Sequence, residues 1–533
     1  QNYKWKPPEE NTIDFKVIFN KETDIHTYNY VTEDGRKEVR KYQKVQLAVQ
    51  YKEKDDISID FNWALLTNKP KNKKTFEFFN PPEFKLDNIH ITNIPLTDDK
   101  ILCIKDTKNV ENGQIVEMRY NPNSEIGYNW IPLRVRDDKD KPQYFTIANN
   151  IWKTINNPVS TQMIKGVIDF DEVSKEVNES QEYYVDTYES EDTPIRDLHN
   201  YIKSKLISRI GSSSEFKNDI MIADLSCGRG GDIKKYLSLK NDIEFILGLD
   251  IASNVNEAAQ RYYHLNGSNP KAMFLQFDTS KSISQKQGCL GDKEKCENML
   301  DIIFNKTGTF PKEYRNVQKE YGGIAKQGFD IVSSQFSVHY YFKSEETLRG
   351  FCENVRDLCS TDGYFIGTCY DGKKVFDMFS KQSSDTVEMK DSMGSLIYQI
   401  KKLYDNEKFD YKEGTLDDES VMDLMVGKEI EVFMSSIGQP IVEYLVNFNF
   451  FIDIMKEYGF ELYDLPKFNK KEYNPIRDPI NSFTEIIELT DTIRENDKEF
   501  IKKTRNTELY KVKDSMEYSR LCGLNNWFVF KKI

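Results

Sequence analysis

Apolar and polar positions alternate along the first part of the chain. Ile13-Asp14-Phe15-Lys16-Val17-Ile18-Phe19 and Val45-Gln46-Leu47-Ala48-Val49-Gln50-Tyr51 carry apolar side chains at every second place, the period of a half-buried strand. Glu33-Asp34-Gly35 between them reads as a polar turn, and shorter strand-like runs recur at 76–79, 101–104 and 114–120. Several short strands joined by polar turns predict a small β-barrel within residues 1–150. From residue 196 the pattern changes. Apolar runs at 221–225, 243–249, 273–277, 329–334 and 363–368 are separated by helical stretches, which predicts an α/β domain with a mainly parallel, doubly wound sheet. Residues 279–327 are long for one crossover and should hold an insertion with its own helix.

Composition narrows this picture. A length of 533 residues suggests two to four domains, and 13% aromatic residues is too many for a disordered chain. The net charge is −13. Residues 1–150 are balanced, with 24 bases and 24 acids, whereas 151–195 hold ten acids and three bases. The acidic excess therefore gathers in a linker-like stretch. The total excludes a broad basic coat but not a protein that reads one nucleotide and a short length of chain. No run approaches 18 apolar residues, so no membrane span is expected. The eight cysteines form no Cys-x-x-Cys pair and have no histidine at metal spacing, so no metal site is expected and a reducing compartment fits. The opening Gln1-Asn2-Tyr3-Lys4-Trp5-Lys6 reads as the start of a fragment.

Met221-Ile222-Ala223-Asp224-Leu225-Ser226-Cys227-Gly228-Arg229-Gly230-Gly231-Asp232 runs from a strand through a glycine-rich turn into a helix predicted over Ile233 to Leu239. Such a turn lets backbone approach a ligand closely, and the following helix start offers free N–H groups. The next strand ends at Asp250, 22 residues after Gly228, where a carboxylate can accept two ribose hydroxyls. The pattern Asp-x-x-x-Gly-x-Gly-Gly differs from the dinucleotide fingerprint. Asp224 favours a ligand carrying an ammonium group, which points to S-adenosylmethionine and leaves a nucleotide as the alternative. Asp278, closing the third strand, can meet an adenine amino group or merely cap the strand end.

The run Phe329-Asp330-Ile331-Val332-Ser333-Ser334-Gln335-Phe336-Ser337-Val338-His339-Tyr340-Tyr341-Phe342 resembles the signature of mRNA cap (guanine-N7) methyltransferases. Leu198-His199-Asn200-Tyr201-Ile202-Lys203-Ser204 is similar to the family's Asn-x-x-Lys helix, and Pro440-Ile441-Val442-Glu443-Tyr444 to its cap-guanine segment. The resemblance implies a class I, Rossmann-like fold that binds S-adenosylmethionine through Lys203, Asp224, Gly228, Asp250, Asp278 and Gln335. It implies a cap guanine held by Asn200, Phe336, His339, Tyr340 and Glu443, with catalysis by positioning rather than by an acid or base. Two places depart from the family. Asn525 stands near the usual last aromatic, for which Trp527 or Tyr518 could substitute, and Tyr370 stands where cellular members often have proline.

Lys4-Trp5-Lys6-Pro7-Pro8-Glu9-Glu10-Asn11-Thr12-Ile13-Asp14-Phe15 resembles the fifth motif of capping guanylyltransferases, and Trp130-Ile131-Pro132-Leu133-Arg134-Val135-Arg136-Asp137-Asp138-Lys139 their sixth. That resemblance implies an oligonucleotide-binding (OB) type barrel in which Lys4, Lys6, Arg134, Arg136 and Lys139 meet phosphates. The Lys-x-Asp-Gly nucleophile is missing. Its nearest likeness, Thr32-Glu33-Asp34-Gly35-Arg36, lacks the lysine and lies on the wrong side of the fifth motif. The expected organisation is an OB-type guanylyltransferase remnant over 1–157, an acidic linker over 158–195 and a cap methyltransferase over 196–533. This is the layout of capping enzymes of large cytoplasmic DNA viruses, of poxvirus, African swine fever virus and giant-virus type. It implies upstream triphosphatase and guanylyltransferase domains in the same polypeptide, a capped mRNA 5′ end as partner, and a cytoplasmic site (host cytoplasm, viral factory or virion); poxvirus members also use a stimulatory subunit, a need that this sequence leaves open. The competing readings are a cap-binding module with a degenerate methyltransferase fold, and a class I methyltransferase acting on another base or a small molecule.

Overall fold

The structure, a computed structural model, describes residues 11–19, 25–31, 37–50, 65–66, 76–81, 89–122, 124, 127–156, 194–216, 219–253, 255–266, 270–305, 308–390, 396–405, 408–416, 418–435, 439–465 and 473–533. Lys4, Lys6, the turn at 33–35 and nearly all of the 158–195 stretch lie outside them. The chain divides into two units, Gln1–Ile59 with Pro70–Ser180 and Asp60–Lys69 with Gln181–Ile533.

The first unit is a seven-stranded antiparallel sheet: β1 (Thr12–Ile18), β2 (Ile25–Val31), β3 (Lys37–Gln50), β4 (Phe76–Phe78), β5 (Ile91–Pro95), β6 (Ile115–Tyr120) and β7 (Trp130–Val135). The order is β2-β3-β1-β6-β7, with β4 and β5 also on β3. Along one edge the 14-residue β3 pairs first with β2 and then with β1, and along the other with β5 and then β4. The period-two expectation holds on both long runs: Ile13, Phe15 and Val17 on β1 and Val45, Leu47 and Val49 on β3 are buried. Their core is aromatic. The Phe15 and Trp130 ring centroids lie 4.9 Å apart edge to face, and Tyr120 and Trp152 4.8 Å apart. The helix Phe145–Asn156 sends Phe145, Ala148 and Trp152 into this core at helical spacing. The expected strand at 101–104 is not one. Leu102 makes only an isolated bridge to Asn109, while Ile104 and Lys105 donate to β7 carbonyls, so this segment serves as a strap.

The second unit is built on a sheet of eight strands: β8 (Ile220–Leu225), β9 (Ile243–Asp250), β10 (Lys271–Gln276), β11 (Phe329–Gln335), β12 (Cys359–Tyr370), β17 (Phe460–Leu462), β18 (Ile480–Ser482) and β19 (Asn525–Lys532). Its order is β10-β9-β8-β11-β12-β19-β17, with β18 also on β19. The first five are parallel, and β19 runs antiparallel against β12. This is the expected doubly wound class I arrangement. Its strands read as unbroken apolar runs because layers cover both faces, and all six residues of β8 are buried. Between β8 and β11 the strand order reverses, the place where open α/β sheets bind ligands. The long crossover holds the expected insertion as the helices Lys293–Phe304 and Arg315–Tyr321. There Cys289 and Cys296 pair as a disulfide with Cα atoms 5.8 Å apart, which departs from the reading of eight scattered thiols. The cause is a return loop: the bridge Phe277↔Cys289 folds the chain back on the end of β10.

A second sheet, unforeseen in the sequence, follows β12. It consists of β13 (Thr386–Lys390), β14 (Leu396–Lys402), β15 (Glu429–Met434) and β16 (Pro440–Tyr444), all antiparallel in chain order. Register and burial put Tyr398, Ile400, Ile430, Val432 and Glu443 on its inner face. The sheet is latched to the carboxyl end of β12 through Gly372, which donates to Val446 O at 2.7 Å. A Cβ at Gly372 would stand 2.5 Å from Val446 N, so only glycine permits this approach. No described helix is long and apolar enough to cross a membrane.

Candidate active site

Side chains from the carboxyl ends of four adjacent parallel strands converge at the reversal point. Beyond β8 the chain turns through Ser226 at φ +69°, Gly228 at φ +51° and Gly230 at φ +74°. At Gly230 a Cβ would fall 2.4 Å from Ile233 Cδ1, whereas at Gly231 it would meet nothing within 4 Å, so the turn leaves a cradle beside its own backbone. The helix that follows is shorter than expected, Ile233–Tyr236. Asp250, ending β9, accepts the Gly228 N–H at 2.7 Å and the Ala252 N–H at 2.8 Å, one on each oxygen. Both oxygens keep a lone pair for an outside donor.

Asp224 is buried, and burial followed by the nearby Asp232 raises its pKa to about 7. Asp232 is held well below the usual carboxylate range, against its burial, by Lys203 and Lys235, whose ammonium groups lie 2.8 and 2.6 Å away. Lys203 comes from the Pro194–Gly211 helix, as does Asn200, whose Oδ1 accepts from Lys235 Nζ at 3.1 Å. Asp278, two residues beyond β10, is half-buried and accepts from Ser280 N and Oγ at 3.0 and 2.7 Å. Gln335 ends β11, its amide fixed by Ser333 at 3.0 Å and Thr368 at 3.1 Å. The donor set fits S-adenosylmethionine: a buried carboxyl for the ammonium, a lysine for the carboxylate, a strand-end acid for the ribose diol, and a cradle for the backbone-hugging chain. Among the described residues no cluster of His, Cys, Asp or Glu is arranged to hold a metal.

A second set of groups adjoins this rim. Phe336, directly after Gln335, takes φ +57°, which aims its half-buried ring out of the strand. It stacks on His199 at 4.8 Å and meets Phe483 edge to face at 6.1 Å, with Lys203 Nζ 5.9 Å from its centroid. The short helix Val338–Tyr341 supplies His339 and Tyr340. His339 Nε2 lies 3.5 Å from Glu443 Oε1, and the Tyr340 hydroxyl also reaches this carboxyl. Neither ring nitrogen of His339, nor Glu443 Oε2, has a hydrogen-bond partner among the described residues. Burial drives the two groups apart in affinity for protons: Glu443 rises to about 8 and His339 falls to about 3. At neutral pH both are neutral, so their 3.5 Å approach is not an ion pair. Tyr370 and Tyr398 close the side toward the small sheet, joined hydroxyl to hydroxyl.

The structure thus brings together Lys203, Asp224, Gly228, Asp250 and Gln335 on one side and Phe336, His339, Tyr340 and Glu443 on the other. Arg134, Arg136 and Lys139 belong to the first unit. There Arg136 bonds Asp14 at 2.9 Å and Asp138 at 2.8 Å, Lys139 bonds Asp14 at 2.5 Å, and Arg134 bonds Glu117. Trp527 is fully buried, donates to Asp478 O and stacks on Phe483, so it takes a place in the core instead of replacing a pocket wall. Asn525 is buried too, donating to Cys522 O. The sequence reading did not single out His199, Asp232, Tyr398 or Phe483. Asp232 carried a signal, as the first residue after the glycine turn.

Comparisons with known proteins place the chain in a family. The family model of the mRNA (guanine-N(7))-methyltransferase domain matches residues 169–512, and that of the mRNA capping enzyme C-terminal domain matches 10–165. A probable mRNA-capping enzyme of Acanthamoeba polyphaga mimivirus is 25% identical over 489 residues, covering 85% of this chain and 37% of that protein. An mRNA cap guanine-N(7) methyltransferase of Aspergillus niger is 27% identical over 284 residues, covering 51% of this chain and 42% of that protein. The chain therefore spans less than half the length of either. A solved S-adenosylmethionine-dependent methyltransferase from Clostridium acetobutylicum, 11% identical, covers 63% of this chain and 95% of its own at a TM-score of 0.28, so the fold assignment rests on the strand order. With its first family match extending over more than half its length, the chain belongs to the mRNA (guanine-N(7))-methyltransferase family.

Proposed function

We propose that this chain transfers the methyl group of S-adenosylmethionine to N7 of the terminal guanosine of capped RNA, converting GpppN-RNA to m7GpppN-RNA within a multifunctional mRNA-capping enzyme. One observation carries the reading: the buried Glu443 carboxyl, whose Oε2 has no partner among the described residues, faces His339 and Tyr340 on the short helix that follows the end of β11.

Bound S-adenosylmethionine supplies an electrophilic methyl group on a sulfonium. Guanine N7 already carries a free lone pair, so the chain needs no general base. Its task is to hold N7 in line, and such positioning can contribute about 7–11 kcal/mol. Glu443, once ionised, accepts from the N1–H and N2–H₂ edge that only guanine displays. Adenine would leave that carboxyl buried and unpaired. Two incoming N–H donors and the positive charge developing on the base all favour the carboxylate that burial alone disfavours. His339, kept neutral, adds no like charge beside a base that becomes cationic. Phe336 and Tyr340 offer ring faces to that cation, worth about 0.5–2 kcal/mol.

In this reading residues 196–533 are the methyltransferase, 158–195 an acidic linker and 1–157 an OB-type guanylyltransferase remnant, working in a cytoplasmic setting. Arg134, Arg136 and Lys139 would meet phosphates only by exchanging their carboxylate partners, Lys4 and Lys6 are read as further phosphate contacts, and guanylyl transfer is not expected without a nucleophilic lysine. The deciding assay incubates the chain with labelled S-adenosylmethionine and GpppA-capped RNA, then digests the RNA. Label in 7-methyl-GpppA is expected. Cofactor binding without label would make the chain a cap-binding module, and label in another base would place it in a different methyltransferase class.

A further inference from the structure

We infer that the first unit carries a separate contact for single-stranded RNA, a strip of half-buried and exposed rings and cations on the sheet face turned away from its core. The partner's identity rests on the proposal that RNA is the substrate.

Side chains of a strand alternate between two faces. On β3, Val45, Leu47 and Val49 turn into the core, while Arg40, Tyr42, Lys44 and Gln46 take the other face and none of the four is buried. Register carries this face onto β2, with Tyr28 opposite Arg40 and His26 opposite Tyr42. Four rings gather there. His26 stacks on Tyr42 at 5.4 Å, and Tyr28, Tyr42 and Tyr128 form a triangle with centroids 5.6 to 5.7 Å apart. His26 is exposed and the three tyrosines are half-buried, and a ring cluster that still reaches solvent marks a contact surface.

The same face continues along the strand. Phe78, opposite Ala48 and 41% exposed, stacks on His90 at 5.3 Å. Lys16, opposite Ala48 on the other edge, sets its ammonium 4.6 Å from the Phe76 centroid. Residues 42 to 48 advance about 20 Å at about 3.3 Å per residue, so rings and cations recur over room for several nucleotides. A single-stranded nucleic acid presents that same alternation, a π-face on every base and a charge on every phosphate. A protein helix docked here would want aliphatic side chains, and positions 40, 42, 44 and 46 hold none.

The test measures binding of the full chain to an uncapped, 5′-hydroxyl single-stranded RNA of about 12 nucleotides by fluorescence polarisation. This probe does not require the guanine pocket. Tyr42→Ala should raise Kd about tenfold, and Tyr42→Phe, which keeps the ring, should stay within about twofold. Lys44→Glu should weaken binding at low salt and flatten the slope of log Kd against log salt by about 0.7. All three should keep the KM for GpppA dinucleotide and the Tm. The inference is overturned if Tyr42→Ala and Lys44→Glu both leave Kd unchanged, if Tyr42→Phe loses as much as Tyr42→Ala, or if KM for GpppA moves in step with Kd. Tighter binding of the matching DNA strand would overturn the choice of RNA. Should Tyr42→Ala fail to fold, Tyr42→Phe and Lys44→Glu decide. A native chain that binds the probe but never methylates GpppA would sink the cap reading and leave the strip standing.

Discussion

The acids of the second unit are held in two ways. Asp250 accepts two backbone N–H groups and Asp232 grips two lysines, so the chain itself satisfies both. Asp224 and Glu443 are as deeply buried but have a single tyrosine hydroxyl each as donor, Tyr236 and Tyr340; burial raises the pKa of Asp250 too, and it lifts these two to about 7 and about 8. The difference teaches a division of labour. Acids completed by the chain shape the glycine turn, while acids with fewer donors are, under the proposed function, the ones a ligand completes: an ammonium at Asp224, a guanine edge at Glu443.

The largest effect should come from breaking the second kind. Glu443→Gln should slow methyl transfer to capped RNA about a hundredfold, since two hydrogen bonds to a charged acceptor are lost, with cofactor Kd held within about twofold by isothermal titration. Full-rate transfer would remove Glu443 from guanine reading. The same variant should be more heat-stable than the parent, and more so at pH 8 than at pH 5. The sign follows from the direction of the shift: the folded chain keeps a proton that the unfolded chain releases near the usual carboxylate pKa, so parent stability falls as pH rises toward about 8.

Breaking the first kind should act on the other ligand. Asp250→Ala should weaken cofactor binding about tenfold or more, with turnover partly recovered at saturating cofactor; unchanged cofactor affinity would refute the ribose assignment. The pH dependence should then separate the unsupported pair. kcat/KM for capped RNA should rise about tenfold per pH unit up to about 8, and cofactor Kd should tighten up to about 7, with Glu443→Gln erasing only the first limb. The smallest effect on transfer is expected in the first unit. Asp14→Asn, which unties Arg136 and Lys139, should lower the Tm of that unit by a few degrees and leave the methylation rate within about twofold.

Five parallel strands were legible because burial on both faces makes them continuous apolar runs, and Asp224 and Asp250 because the glycine turn fixes where strand ends must lie. Ile25–Val31 was not, since its apolar residues follow no clean period; in the helix Phe145–Asn156 the helical spacing of Phe145, Ala148 and Trp152 is blurred by an exposed Ile147 and a buried Asn149. Lys203, Gln335 and Glu443 could be named only through a resemblance, because nothing local distinguishes a ligand-facing side chain from a core one. The stacking of His199 on Phe336 and the meeting of Tyr370 with Tyr398 join residues far apart in sequence, and no single-chain periodicity records such a meeting. Arg134 and Arg136 show the converse: their positive charge was visible, but not Glu117 and Asp14, the carboxylates from other strands that already occupy it.

Ser226 and Phe336 close two neighbouring strands, and both sit in the left-handed region that side chains avoid. Each such residue costs about 1–2 kcal/mol against a glycine there. Laboratory evolution under heat alone should therefore drift toward glycine or asparagine at 226 and 336. It would yield a hardier protein without the Phe336 ring that the proposed function sets beside the guanine, so thermal screens of this chain need turnover as a second gate.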